Sequence, residues 1–133
     1  MSATLNEKSK ALVARPVLAT IVTLGKDGSP QATPLWVEMA GEDISINTAK
    51  GRAKANNIER DPRVAISIVD PEDPYNVIAV RGTVVEVTND GADEQIDRLA
   101  KKYMGVDSYP MRQEGEVRLS IRIRIDKILM PAA

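Results

Sequence analysis

Apolar positions along this chain fall into two rhythms, a period of two that marks strands and a period near 3.6 that marks helices. Glu116 to Ile128 is the plainest strand: Val117, Leu119, Ile121, Ile123 and Ile125 alternate with Arg118, Ser120, Arg122, Arg124 and Asp126. Asp90 to Gly105 is the plainest helix, with Ala92, Ile96, Leu99, Ala100 and Tyr103 at helical spacing and Gly105 placed to close it. Leu5 to Arg15 reads as a shorter helix that Asn6 can cap and Pro16 stops, with Leu5, Leu12 and Val13 as its stripe. Val17 to Leu24 is apolar on both alternating faces, which predicts burial on two sides. Asp27-Gly28 supplies a hairpin turn. The returning strand, Gln31 to Met39, contains Pro34, whose missing N–H demands an edge, a bulge or a break.

A tight turn over Ala40 to Asp43 leads into a third strand, Ile44 to Thr48, and Val64 to Val69 forms a fourth. Asp70 to Asn76, with two prolines, predicts a loop. Val77 to Thr88 predicts a fifth strand bent at Gly82, and Val106 to Glu114 an irregular polar loop. Six strands joined by hairpins, with helices outside any βαβ pattern, predict one α+β domain over residues 1–133, built on a six-stranded antiparallel barrel. The arginines of the last strand read either as a solvated face or as a dimer surface, where arginine is enriched. The two apolar faces of Val17 to Leu24 point toward a dimer.

One segment breaks the ordinary pattern. Between Asn47 and Val64 a short helix, ended by Pro62, carries Lys50, Arg52 and Lys54 at its start and Glu59 and Asp61 at its end. The helix dipole favours the opposite arrangement, by about 0.3–1 kcal/mol per exposed charge. An exposed basic loop accounts for this. So does an anion held jointly by the cations and the free N–H groups of the first turn. Thr48 is a candidate N-cap, and Gly51 allows close backbone approach.

Composition narrows the chemistry. The 133 residues contain no cysteine and no histidine, so thiolate nucleophiles, zinc–sulfur sites and the commonest general base and metal ligand are all missing. Net charge is −1, which supplies no global field toward nucleic acid or an anionic membrane. Phenylalanine is absent and only one Trp and three Tyr occur, so the core must be aliphatic. No apolar run approaches the roughly 20 residues of a bilayer span, and the polar first ten residues lack a signal-peptide core. A cytoplasmic protein is expected. Dinucleotide, phosphate-loop and nucleophile-elbow motifs are all missing. Asp70, Glu72 and Asp73 read as a solvated turn rather than a hydrolytic pair. Chemistry, if there is any, falls to a bound cofactor. Trp36 and Tyr75 lie beside chain irregularities, where amphipathic rings can wall a flat ligand.

The segments RPVLATIVTLGKDGSPQATPLWVE, INTAKGRAKANNIERDPRVAISIVD, PYNVIAVRGTV and IDRLAKKYMG together resemble the split-barrel flavin and deazaflavin oxidoreductases related to pyridoxamine phosphate oxidase. The Gly-Arg-x-Lys form is most similar to the branch that uses the deazaflavin coenzyme F420. The resemblance implies a split barrel with peripheral helices, and a homodimer with cofactor sites in clefts between subunits. It implies that Arg52 and Lys54 contact the anionic tail, supported by Asn47, Thr48, Lys50 and Asn57. Thr33, Pro34 and Trp36 match positions beside the ring system, and Tyr75 one that closes the cleft. The implied activity is hydride transfer from reduced F420 to an activated alkene or a quinone-type acceptor. FMN in the same site, or a non-catalytic cofactor carrier, is the alternative. No side chain is assigned as acid, base or metal ligand, and the missing histidine and C-terminal extension disfavour pyridoxal phosphate synthesis.

Overall fold

The computed structural model describes residues 2–131; Met1, Ala132 and Ala133, which the single-domain expectation includes, lie outside the described residues. In chain order the elements are α1 (Glu7–Ala14), β1 (Ala19–Leu24), β2 (Pro30–Leu35), β3 (Glu38–Ala40), β4 (Asp43–Ala49), α2 (Ala53–Arg60), β5 (Arg63–Asp70), β6 (Asp73–Thr88), α3 (Ala92–Met104) and β7 (Arg118–Met130). The strands form one antiparallel sheet in the order β2-β1-β5-β6-β7-β4-β3.

Among the described residues there are thus seven strands rather than six, and the sheet does not close. The expected strand Gln31 to Met39 is interrupted at Trp36 and Val37, which belong to neither β2 nor β3. These two pieces are the opposite ends of the sheet, so the sheet must curl until a two-residue bridge can join its edges. Pro34 lies in β2, on an edge with no strand beyond it, where its missing N–H forfeits no ladder bond.

Helix α3 closes this split with side chains. Tyr103 Oη donates to Val17 O at 2.8 Å and accepts from the Val37 N–H at 3.2 Å. Lys102 Nζ donates to Val13 O and to Val37 O, both at 2.6 Å. The Val17 and Val37 backbone groups at the split, and the Val13 carbonyl at the end of α1, are satisfied here by one phenol and one ammonium. Burial pushes the Lys102 pKa down, against the pull of Glu38; burial pushes the Tyr103 pKa up.

The interior is aliphatic, as the composition requires. Ile21, Ile44, Ile46, Ile66, Ile68, Ile121, Ile123 and Ile125 are fully buried inside the curled sheet, with Leu5, Leu12 and Val13 of the α1 region covering them. Asn6 caps α1 as expected, its side chain accepting from the Ser9 N–H at 2.8 Å. The apolar face of α3, Ala92, Ile96, Leu99 and Ala100, is buried, and Gly105 ends that helix. At Gly82 the chain bends where strand β7 crosses closely: a Cβ there would lie 2.7 Å from Arg124 O and from Ile123 Cγ2.

Other expectations need correction. Burial of β1 is one-sided within the chain. Ala19, Ile21 and Thr23 are buried, while Leu18, just ahead of the strand, is 57% exposed and Thr20 is exposed. The loop expected at Asp70–Asn76 is a two-residue turn, because Asp70 accepts from the Glu72 N–H and the Asn76 amide and so folds Pro71 and Glu72 back on β5.

Candidate functional site

Helix α2 begins at Ala53, later than the charge pattern suggested. Its N-cap is Arg52, which makes no side-chain cap bond, and no acidic residue enters its first turn. Thr48 is therefore not the cap. It is a buried residue of β4, which runs on to Ala49. Between them, Gly51 turns the chain at φ +92°, and a Cβ there would meet no atom. Glycine serves the backbone angle at that point. At the C-terminal end Arg60 partly corrects the charge order, and Asp61 is neutralised by Arg63 at 2.7 Å. The reversal persists only at the helix start.

A pocket of about 250 Å³ opens there. Pro34 and Trp36 form one wall and Leu18 and Met111 part of the lining. Ile96, Leu99 and Tyr109 add to it, and Asn47, Thr48, Arg52, Lys54 and Arg118 provide the polar side. Trp36 stacks on Tyr103 with ring centroids 5.3 Å apart, and Tyr109 meets its edge at 6.1 Å. Three of the chain's four aromatic residues thus gather at the split, an arrangement that holds Trp36 rigid.

The polar side is strongly cationic. Lys54 is half-buried and has neither a carboxylate nor a hydrogen-bond partner among the described residues. Burial pushes its pKa down, and the neighbouring Arg52 and Arg118 guanidiniums push it further. Arg118 is 3% exposed, so it belongs to neither a solvated face nor a dimer surface. Its Nε donates to Asn47 Oδ1 at 2.8 Å, its Nη1 to Glu116 Oε1 at 2.9 Å, and its guanidinium lies over the Tyr109 ring at 5.2 Å. Glu116 also faces Arg52, at 3.5 Å. Behind Asn47, a buried relay continues: its amide donates to Ala92 O and Gln95 Oε1, and Gln95 donates to Ser45 Oγ and Glu38. Arg98 completes that chain with a bidentate pair to Glu38. Asn47 and Arg118 are therefore fixed in place before any ligand arrives.

Two features of this pocket are unsatisfied by the protein itself. Three cations face one carboxylate, and Thr48 Oγ1 is buried without a hydrogen-bond partner among the described residues. A buried hydroxyl left unpaired costs about 1–3 kcal/mol, so an incoming polar group is favoured there. An anion carrying a flat apolar portion fits this donor set and the Pro34–Trp36 wall.

Of the residues singled out in the sequence, Pro34, Trp36, Asn47, Thr48, Arg52 and Lys54 line the pocket together. Thr33, Lys50, Asn57 and Tyr75 do not. Lys50 lines a separate hollow beside α2. Asn57 is buried and ties α2 to Thr23 and Gln31. Tyr75 is 93% exposed at the start of β6. The sequence reading missed Arg118, Glu116 and Tyr109. Arg118 was masked by the alternation of its strand. Tyr109 lies in a segment without periodicity, which is pinned to α3 by Arg112 bonds to Asp93 and Asp97 and by its own N–H to Asp97.

An open antiparallel sheet whose edges meet across a two-residue split, with a cation-lined pocket at that split, defines the split-barrel class. Residues 5–130 match the pyridoxamine 5'-phosphate oxidase family, and the chain belongs to it. Among solved structures it is similar to an F420 reductase, with 28% identity, a TM-score of 0.81, and coverage of 93% of this chain and 98% of that one. A conserved hypothetical protein of Mycobacterium tuberculosis shares the fold at 22% identity and TM-score 0.71, covering 96% of this chain and 84% of its own. So does a putative pyridoxamine 5'-phosphate oxidase of Lactobacillus delbrueckii, at 19% and 0.66, with 94% and 93% covered. Family membership and the F420 reductase relative support an oxidoreductase of the flavin or deazaflavin type. Among the described residues, no helix is long and apolar enough to cross a membrane.

Proposed function

We propose that this protein is a coenzyme F420-dependent oxidoreductase that reduces an activated alkene or a quinone-type acceptor, working as a homodimer. The observation that carries the reading is the convergence of Arg52, Lys54 and Arg118 on a pocket that, among the described residues, has no carboxylate in its lining and one orphaned hydroxyl, with Glu116 paired to the two arginines from outside that lining. Arg52, Lys54 and Arg118 bind the phosphate and carboxylates of the cofactor tail, and Thr48 Oγ1 gains a partner. Pro34 and Trp36 hold the ring system, with Tyr103 fixing the Trp36 plane from behind. Leu18, Leu99 and Met111 exclude water. When bound, the deazaflavin supplies a hydride and, lacking the reactive nitrogen of a flavin, restricts the chemistry to two electrons. The protein's contribution is to hold donor and acceptor at reacting distance, a source of large rate enhancement on its own.

A pocket of about 250 Å³ is small beside the roughly 300–1,000 Å³ of typical ligand sites. Its lining includes two exposed apolar side chains, Leu18 and Met111. A second copy of the chain covering them completes the cleft, which supports the dimer. Thr33, Lys50, Asn57 and Tyr75 have no place on the single-chain pocket, so their part in binding depends on that second copy or on the tail beyond the pocket.

Fluorescence titration with F420 and with FMN tests this directly. F420 is expected to bind more tightly, with Arg52→Ala and Lys54→Ala each weakening it by roughly ten- to a hundredfold, as befits loss of a charge-assisted bond. Added salt is expected to weaken the wild type. Tighter binding of FMN reverses the cofactor assignment, and binding without turnover of any quinone or activated alkene makes the protein a carrier.

A further inference from the structure

Among the described residues, Glu116 is the one carboxylate that touches the cation cluster. It stands at the end of the segment that bears Tyr109 and Met111, two residues before Arg118, and its side chain is only 6% exposed. One oxygen takes the Arg118 Nη1–H at 2.9 Å, and the other faces Arg52 Nη2 at 3.5 Å. Lys54 lies outside this pairing. The carboxylate lowers the formal charge facing the pocket from three to two, without being needed to place Arg118, whose Nε is held independently by Asn47.

A fixed negative charge beside an anion site repels every anion, and the repulsion grows with the charge of the anion. We propose that Glu116 is a specificity-determining residue that grades anions by the charge they concentrate at the cluster: it admits the single phosphate of a mono- or diester, including one whose further charges lie spread along a tail, and rejects polyphosphates, whose charges crowd together. The inference rests on the reading of this pocket as an anion site and names the class of anion it selects. In a half-buried setting the penalty is screened less than at an open surface, so a single carboxylate can discriminate strongly. Arg52 is the adaptable member, since its side chain is 53% exposed and its contact with Glu116 is loose. Arg118 and Lys54 form the fixed part.

Calorimetric titration of the full chain with inorganic phosphate and with pyrophosphate, at constant ionic strength and without divalent cations, tests the proposal. In Glu116→Gln the amide keeps the shape and removes the charge. Phosphate is expected to bind roughly tenfold more tightly than to the wild type, and pyrophosphate roughly a hundredfold, because the relief scales with ligand charge. A residue that only held the fold would weaken both ligands, and by a similar factor. Glu116→Ala carries the same expectation. Equal gains for the two ligands, or no gain, overturn the selectivity role. Loss of fold in both variants, seen by circular dichroism, overturns it too, because the carboxylate then belongs to the scaffold. Lys54→Ala separates the two levels of argument. If the wild type binds phosphate and Lys54→Ala does not, the anion site stands whatever Glu116 does. If no variant binds either ligand, the anion site and the grading fall together.

Discussion

Asp70 lies at the hairpin between β5 and β6, 2.8 Å from Arg15. The Arg15 guanidinium, the Glu72 N–H and the Asn76 amide hold its pKa down to about 2, against an ordinary value of 3.8. Because the folded value is the lower one, ionised Asp70 contributes its full stability above pH 3.8 and loses it as pH falls toward 2. Asp61, drawn to about 2 by Arg63, behaves the same way. In Asp70→Asn the midpoint of urea unfolding is expected to be lower at neutral pH. It should then fall less steeply than the wild type between pH 4 and 2. An unchanged acid slope would show that folding does not hold the Asp70 carboxyl low. Lys54 is the opposite kind of residue, a half-buried cation that no carboxylate among the described residues neutralises. Residues of the first kind hold the fold; a residue of the second kind points to something from outside.

Among the elements, α3 has two duties. Its Ala, Ile and Leu stripe covers the sheet, and its last turn holds the split shut. Tyr103→Phe removes the phenolic oxygen while keeping the ring on Trp36. The Val17 carbonyl and Val37 N–H are left to find other partners, a loss of about 1–3 kcal/mol in urea unfolding. Trp36 is the only tryptophan, so its emission reports on the same wall, and a shift is expected without ligand. Strand β6 carries a second prediction. Gly82→Ala places a methyl 2.7 Å from the β7 backbone, and the overpacking is expected to cost about 1–3 kcal/mol by the same measurement. A neutral Gly82→Ala would mean that β6 and β7 can separate there without losing their pairing.

For the whole molecule, the proposed dimer would couple binding at the pocket to association. Leu18 lines it and is more than half exposed, an arrangement suited to cover by a second copy. Leu18→Asp is expected to shift the protein from dimer to monomer in sedimentation equilibrium and to weaken F420 binding in parallel. A dimer that persists with unaltered binding would place the subunit contact on another face.

Much of the fold was legible in the sequence. Strand alternation, the α3 stripe and the Asn6 cap are local patterns, and most elements formed within a few residues of their expected places, the strand expected over Gln31 to Met39 being the exception. Gly82 was recognisable as a bend because so few residues tolerate a crossing strand. The reversed charges of Arg52 and Lys54 marked the neighbourhood of the start of α2 and of the pocket beside it, though the helix begins later than they suggested, since a helix terminus is a local feature whose electrostatics can be read residue by residue. The family was identifiable from the same segment. Tertiary structure alone decided which of those cations converge. Lys50 points to a different hollow, while Arg118, some 70 positions away in sequence, joins Asn47 because β4 and β7 pair. It also decided that β2 and β3 are separate strands. An aperiodic loop came to present Tyr109 to the pocket, and Glu116 to come between two arginines. These outcomes depend on sheet curvature and strand neighbours, which no short window of sequence contains.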